Sequence, residues 1–241
     1  MVMRLCARRM ASGADADTTE AGRQAKDMTK TQEHPAREAV AGVILAGGLA
    51  RRMGGEPKAL IRLGERMLIE HVIERLSPQV DLLLINANAD HETLKRLGYP
   101  VLKDVLPGHA GPLAGVLTGM RWAAQQAPQA RWLVSVAVDT PFFPHDLVAR
   151  LLAVAEREKA RIVRACSGGR AHPVFALWDI ALAEDLEKAM RDDTMRKIDR
   201  YTARHAMAEV NWPDAPFDPF FNINRPDDLK QAAHILIAQD S

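Results

Sequence analysis

The stretch that decides the fold is AVAGVILAGGLARRMGGEPK, residues 39–58. Its first part is an unbroken apolar run, which indicates a strand buried on both faces. The second part holds two pairs of glycines, two adjacent arginines and a final lysine, Lys58. Glycines let the backbone approach a ligand and expose N–H groups to phosphate oxygens. The stretch indicates a strand followed by a phosphate-binding loop, although a solvated, flexible connection has a similar composition.

Two familiar nucleotide-binding patterns do not fit this loop. A dinucleotide fingerprint requires Gly-x-Gly-x-x-Gly, whereas the glycines here come in two separated pairs. A P-loop requires Gly-Lys followed by Ser or Thr, whereas Pro57 precedes Lys58 and Ala59 follows it. The sequence therefore predicts a nucleotide loop of another kind.

Beyond the loop, short apolar runs alternate with segments of helical periodicity. VDLLLINAN and WLVSVAVD are strands by this criterion, while MLIEHVIERL and PHDLVARLLAVAEREKA have the spacing of amphipathic helices. Apolar strands separated by helices predict an α/β domain with three layers and a mainly parallel, Rossmann-like sheet. We assign this domain to residues 39–241, and ligands of such sheets bind outside the carboxyl ends of the strands.

The N-terminal segment, residues 1–38, has few large apolar side chains. It cannot bury enough surface to offset its chain entropy, so we expect a disordered extension. Arginines near its start are not followed by an apolar run, which argues against a secretory or twin-arginine leader.

Composition excludes several classes of protein. The formal net charge of +1 gives no reason to expect a nucleic acid or a membrane surface as partner. The apolar runs are shorter than a membrane-spanning helix requires. The two cysteines, Cys6 and Cys166, lie far apart, which argues against a disulfide framework or structural zinc and favours a cytoplasmic location.

Polar residues follow several predicted strands. Asp139 ends WLVSVAVD, where a carboxylate suits Mg²⁺, or alternatively caps the helix expected near Pro144. In FNINRP, Asn222 and Asn224 share one face of an extended segment, and Asn224 is equally suited to cap the last helix.

Three further positions carry a weaker signal. Asn86 ends the second predicted strand, VDLLLINAN. Asp104 ends the short run YPVLKD, which leads into a glycine-containing segment, although a turn explains either residue. His172 precedes Pro173 at the start of a predicted strand, in RAHP, although a lone histidine is more often structural.

Taken together, LAGG-x-x-x-R-M-GG-x-x-K, NAN, GPLAG, DTP, HP and N-x-N-x-P resemble the nucleotidyltransferases that modify molybdopterin. The motifs occur in the family's order from about Ala41 to the C-terminus. The resemblance implies a nucleotide-diphospho-sugar-transferase-like fold. It also implies transfer of GMP from GTP to the phosphate of molybdenum-bearing molybdopterin, with release of pyrophosphate. The implied partners are GTP, molybdenum-molybdopterin, and other cofactor-biosynthesis proteins or recipient molybdoenzymes.

The resemblance also implies roles for individual residues. The backbones of Leu45, Ala46 and Gly47 would hold the nucleotide, and Lys58 and Arg52 would meet its phosphates. Arg52, Lys58 and Asp139 form the implied catalytic set.

Three further roles concern the remaining residues. Asn86 and Asp104 would bind the nucleoside, and Asp139 would bind both nucleotide and Mg²⁺. Asn222 and Asn224 match the N-x-N segment.

Gly47 bears on the choice of base. Related cytidylyltransferases tend to have LAAG where this chain has LAGG, and the missing methyl group makes room for a purine. GTP is therefore the expected nucleotide. CTP is the alternative in the same class, and a non-catalytic cofactor-delivery protein is the alternative in another class.

Overall fold

The structure, a computed structural model, describes residues 39–47, 57–89, 91–106, 108 and 111–239. The predicted disorder of residues 1–38 lies outside these ranges and stays a prediction. Most of the glycine-rich loop, residues 48–56, also lies outside them.

The described strands and helices alternate along most of the chain. The strands are β1 Val40–Leu45, β2 Arg62–Leu63, β3 Arg66–Met67, β4 Leu82–Asn86, β5 Val101–Leu102, β6 Trp132–Ala137, β7 Ile162–Ser167, β8 Arg170–Asp179 and β9 Met207–Trp212. The helices are α1 Leu68–Leu76, α2 His91–Lys95, α3 Pro112–Gln126, α4 Leu147–Glu158, α5 Ala183–Asp192, α6 Ile198–Thr202 and α7 Pro226–Gln239. Short 3₁₀ turns cover Lys58–Leu60, Ser77–Gln79 and Ile180–Leu182.

The central sheet has the order β5-β4-β1-β6-β8-β7-β9. Neighbouring strands are parallel except where β8 pairs with β6 and β7. The prediction of a mainly parallel sheet is confirmed. At one edge Leu45 pairs with Asn86 on one side and Ala137 on the other, so the carboxyl ends of β1, β4 and β6 meet there.

Helices cover both faces of this sheet. On one face α1 and α4 pack on the strands through Ile69, Val72 and Leu151, all buried. On the other face α3 and α5 pack through residues such as Leu117 and Leu186. The predicted three-layer arrangement is therefore confirmed. A smaller apolar cluster joins α7 to the β2–β3 hairpin.

The reversal of β8 was not predicted from the sequence. Gly168 and Gly169 connect β7 to β8 with φ angles of +52° and +73°. Two successive positive φ angles form the kind of tight turn that closes an antiparallel hairpin. Strand β9, helices α5 and α6 and the β2–β3 hairpin were not predicted either. Such elements gain much of their stability from tertiary packing, which the local sequence pattern does not show.

Candidate active site

A cleft of about 740 Å³ opens at the carboxyl edge of β1, β4 and β6. Its volume lies within the usual range for small-molecule sites, roughly 300–1,000 Å³. Its walls come from residues 45–47 and 57–60, on either side of the glycine-rich loop, from other strand ends and from the beginning of α3. The lining includes Leu45, Ala46, Gly47, Pro57, Lys58, Leu60, Asn86, Asn88, Asp104, Gly111, Pro112, Asp139, Val174 and Asn222.

Lys58 is the cation that the described residues place in this cleft. Its Nζ donates to Asp139 Oδ2 at 2.6 Å and to Asn224 Oδ1 at 2.5 Å. The side chains of Lys58 and Asp139 are 17% and 15% exposed, so the pair is largely removed from water but still reachable. Pro57 stands at the N-cap of the 3₁₀ turn that carries Lys58, with φ −58°. This fixed φ stiffens the approach to the lysine.

Asp139 lines the cleft and does not cap helix α4. Helix α4 begins at Leu147 with Asp146 at its N-cap, and the Val148 N–H donates to Gln79 Oε1 at 3.0 Å. The Asp139 carboxylate instead accepts from Lys58. The capping alternative is therefore wrong for Asp139, and its role as a site residue stays a prediction.

The segment Phe217–Asn224, hereafter the strap, crosses the edge of the sheet between β9 and α7. The Ile223 N–H donates to the Asp139 carbonyl oxygen at 2.9 Å. Asn222 accepts a short hydrogen bond from the Thr140 hydroxyl. The Asn224 side-chain oxygen accepts from Lys58, while its backbone N–H donates to Asp228 Oδ2 at 2.8 Å. Thr140 and Lys58, the partners of these two asparagines, both contact the Asp139 carboxylate, so the N-x-N segment lies close to Asp139.

Asn86 and Asp104 meet at the far side of the cleft. Asn86 Nδ2 donates to Asp104 Oδ1 at 3.0 Å, and Asn88 Nδ2 donates to Asp104 Oδ2 at 2.9 Å. The Asp104 N–H returns a hydrogen bond to Asn88 Oδ1 at 3.0 Å. This network fixes the Asp104 carboxylate at the cleft wall. Asn88, which the sequence indicated only within NAN, is the additional member.

The backbone of residues 45–47 is only partly free to bind a ligand. The Ala46 N–H donates to the Asn86 carbonyl at 2.9 Å, and the Leu45 carbonyl accepts from the Val138 N–H at 3.3 Å. Those two groups extend the sheet. Gly47 follows at the point where the strand ends, and no described atom lies within 4 Å of the position of an added Cβ.

Helix α3 begins at the rim of the cleft. Gly111 has φ +134°, which an L side chain rarely adopts, and Pro112 starts the helix behind it. A helix of this length directs its positive end at the cleft, which favours an anionic ligand there. Gly115, one turn further, packs directly under Leu45 and Asn86. The motif GPLAG is thus a helix start whose glycines serve close approach.

The structure brings together most of the predicted site residues. The cleft is lined by Leu45, Ala46, Gly47, Lys58, Asn86, Asp104, Asp139 and Asn222, and Asn224 contacts it through Lys58. Arg52 lies outside the described residues. Thr140 was not predicted as a site residue, although DTP drew attention to that turn. Val174 was not predicted either, because only the reversed direction of β8 brings it to this edge.

His172 lies near this edge within β8. Its Nε2 is 2.7 Å from the Ser167 Oγ, and its ring stacks on Phe220 with centroids 4.6 Å apart. Burial is the main cause that lowers the pKa of His172, and nearby Arg170 adds to this, while Asp218 opposes it. The imidazole is therefore held in its neutral form at neutral pH.

The donor set suits a hard cation that brings other ligands with it. Asp139 offers a carboxylate in the cleft, and Mg²⁺ typically takes one or two protein carboxylates together with water and substrate phosphates. Within the described ranges there is no cluster of three or more His, Cys, Asp or Glu residues that could hold a metal alone. The residues fit a metal bound jointly with a nucleotide.

Comparison with known proteins agrees with this geometry. The family model described as "MobA-like NTP transferase domain" matches residues 42–208. The chain belongs to the MobA-like NTP transferases. A Rhodopseudomonas palustris (strain BisB5) relative named "Molybdenum cofactor guanylyltransferase" is 48% identical over 205 residues, covering 85% of this chain and 96% of the relative. A Mesorhizobium japonicum relative of the same name is 44% identical, covering 85% and 100%.

A solved structure extends the likeness to the fold. Molybdopterin-guanine dinucleotide biosynthesis protein A from Archaeoglobus fulgidus superimposes with a TM-score of 0.66 at 26% identity, covering 82% of this chain and 99% of that one. The predicted nucleotide-diphospho-sugar-transferase-like fold is confirmed, and this MobA-like chain is a nucleotidyltransferase by family. None of its described helices is long and apolar enough to span a membrane.

Proposed function

We propose that the chain transfers GMP from GTP to the terminal phosphate of molybdenum-bearing molybdopterin and releases pyrophosphate. One observation carries the proposal: residues 45–47, Lys58, Asn86, Asp104 and Asp139 all converge on a single cleft. The names of relatives that are 44–48% identical and aligned over nearly their whole length support the choice of substrates.

The two walls of the cleft suggest how GTP lies in it. The Asn86–Asp104 network offers hydrogen-bonding groups at one wall, which suits the nucleoside. Lys58 and Asp139 lie by the strap at the other wall, which suits the phosphates. The Gly47 backbone lies where the β1 strand ends and, without a side chain, allows close approach of the nucleotide.

The reaction joins two polyanions and needs little acid–base chemistry. The phosphate monoester of the acceptor is itself an anionic nucleophile, so its oxygen attacks the α-phosphorus of GTP directly. The bond between the α-phosphorus and the bridging oxygen breaks, and pyrophosphate departs with that electron pair. Lys58 balances the charge that develops on the phosphoryl oxygens, while the cleft supplies orientation.

Asp139 would hold Mg²⁺ in this proposal. When bound, the metal would neutralise phosphate charge and act as a Lewis acid. Lys58 donates to Oδ2 of the same carboxylate. Nucleotide phosphates would offer Lys58 new partners and release this carboxylate. We therefore expect metal and nucleotide to bind together more tightly than either binds alone.

Gly47 supports guanine over cytosine. No described atom beyond its chain neighbours lies within 4 Å of the position of a Cβ at Gly47, so packing among the described residues does not demand glycine here. Glycine at a cleft wall then serves the ligand, since it leaves room for the larger base. The proposed partners beyond the two substrates, namely other cofactor-biosynthesis proteins or recipient molybdoenzymes, and the cytoplasmic location stay predictions.

The decisive experiment measures pyrophosphate release by the purified chain with Mg²⁺ and molybdenum-loaded molybdopterin, comparing GTP, CTP, ATP and UTP. We expect release with GTP, and loss of at least about 100-fold in kcat/KM for Lys58→Ala, because a preorganised charged donor supplies several kcal/mol. Preference for CTP would keep the chemistry and overturn the base. Binding of GTP without release from any nucleotide would favour the cofactor-delivery alternative.

A further inference from the structure

The strap is part of a long connection that has to be held in place. Residues 213–225 join β9 to α7 without regular secondary structure. Irregular connections of this length are usually mobile unless side chains tie them down. At its far end the strap delivers Asn222 to Thr140 and Asn224 to Lys58. The position of Lys58 therefore depends on what fixes the strap.

The near end of the strap is fixed by a partly buried chain of hydrogen bonds. The Ser167 hydroxyl donates to Asp218 Oδ1 at 2.7 Å, and the same oxygen accepts from the Phe220 N–H at 2.9 Å. Ser167 is 1% exposed. Phe220 is also buried and is held edge-on by Phe175 and Trp212.

The hydrogen bonds of Ser167 determine which ring nitrogen of His172 carries a proton. A serine hydroxyl has one proton, which Ser167 gives to the Asp218 carboxylate. The remaining 2.7 Å contact must then run from His172 Nε2–H to the Ser167 oxygen. The ring that makes this bond also stacks on Phe220. His172 thus holds the strap through a hydroxyl and through an aromatic face.

We propose that His172, Ser167 and Asp218 are positioning residues of nucleotidyl transfer, which fix the strap so that Asn224 holds Lys58 in the cleft. The proposal rests on the proposed function for its kinetic effect. Lysine has a flexible four-carbon stem, and an acceptor at a fixed place restricts where its ammonium points. Asn224 comes six positions after Asp218, so a shift at the near end is passed on to the far end.

The test compares Ser167→Ala in two backgrounds, the native chain and Asn224→Ala. In the native chain we expect kcat/KM for pyrophosphate release to fall about tenfold, as for loss of a hydrogen bond to a charged group. In the Asn224→Ala background we expect no further fall, because the change acts through Asn224. An equal fall in both backgrounds would overturn the proposal, since the serine would then act independently of the strap.

Hydrogen exchange of the strap peptide gives a readout that does not depend on activity. Ser167→Ala should speed exchange at residues 217–224, including the Ile223 N–H bound to Asp139, while Tyr201→Phe should not. Tyr201 is the matched control, because its buried hydroxyl also donates to a carboxylate, Asp185 Oδ2 at 3.0 Å, away from the strap. Unchanged hydrogen exchange at residues 217–224 would refute the proposal that His172, Ser167 and Asp218 fix the strap.

A second variant covers the case in which Ser167→Ala does not fold. Asp218→Ala lies on the strap itself and removes the bonds to Ser167 and Phe220 together, so it should reproduce both effects. If the native chain releases no pyrophosphate from any nucleotide, the proposed function fails. The hydrogen-exchange result alone then decides whether Ser167 and Asp218 fix the strap.

Discussion

Gly115→Ala tests whether Asn86 holds the nucleoside. A Cβ at Gly115 would stand 2.3 Å from Asn86 Oδ1 and 2.5 Å from Leu45 Cδ2. The amide would have to move by about 1 Å to regain ordinary contact. Its 3.0 Å hydrogen bond to Asp104 is not expected to survive such a shift. The substitution therefore disturbs the cleft wall from behind, without touching the ligand side.

Gly115→Ala should change the free energy of unfolding and the Kd for GTP by amounts that can be measured separately. Overpacking of this kind costs about 1–3 kcal/mol, and alanine in place of a helix glycine returns about 1 kcal/mol. The free energy of unfolding should fall by about 0–2 kcal/mol. Loss of the oriented Asn86–Asp104 pair removes roughly one hydrogen bond to the nucleoside, which corresponds to about a tenfold rise in the Kd for GTP.

Gly119→Ala is the matched control one turn along α3. Its Cβ would meet Leu133 and Val43 at 3.0 and 3.1 Å, both apolar and buried, so helix propensity and crowding change in the same direction. Calorimetric titration with GTP and thermal unfolding should be measured for both variants. If Gly115→Ala raises the Kd no more than Gly119→Ala does, Asn86 does not hold the nucleoside.

Three further outcomes are expected. Gly47→Ala should keep its unfolding temperature while kcat/KM shifts from GTP toward CTP; an unchanged GTP:CTP ratio would contradict the role of this glycine in base choice. Asp139→Asn should lower Mg²⁺-dependent turnover by about 100-fold or more, because a metal supplies several kcal/mol, and a metal titration that matches the native chain would refute the assignment. Burial, with a contribution from Glu209, raises the pKa of Cys166 to about 11, so in a Cys6→Ser background the folded chain should resist alkylation at mildly alkaline pH. Rapid labelling of the folded protein, followed by mass spectrometry, would contradict that shift.

The sequence predicted best those site residues that lie at the ends of strands. Asn86 and Asp139 follow long apolar runs, and parallel strands bring their carboxyl ends to one edge. Their convergence follows from chain order and strand direction alone. The motif order then added the roles that residue type by itself left open, as for Asn224, whose side chain binds Lys58.

Other features depend on partners that chain order does not reveal. Ser167 and Asp218 are 51 residues apart and meet because β9 pairs in parallel with β7, which places Ser167 opposite Trp212. The reversal of β8 at Gly168 and Gly169 brings His172 to the same place. The two glycines between apolar runs were the available signal for that reversal. For Gly115 no such signal exists, since its need for a missing side chain appears only once Asn86 is seen to pack against the helix.

The hydrogen bond from Lys58 to Asn224 joins residues 166 positions apart. During synthesis, the lysine leaves the ribosome long before its asparagine has been translated. A nascent chain can fold much of the sheet before that point, but it cannot complete the phosphate end of the cleft. The site therefore matures only when the last part of the protein is released, and a chain shortened before the strap would retain strands β1 to β9 with an unfinished cleft.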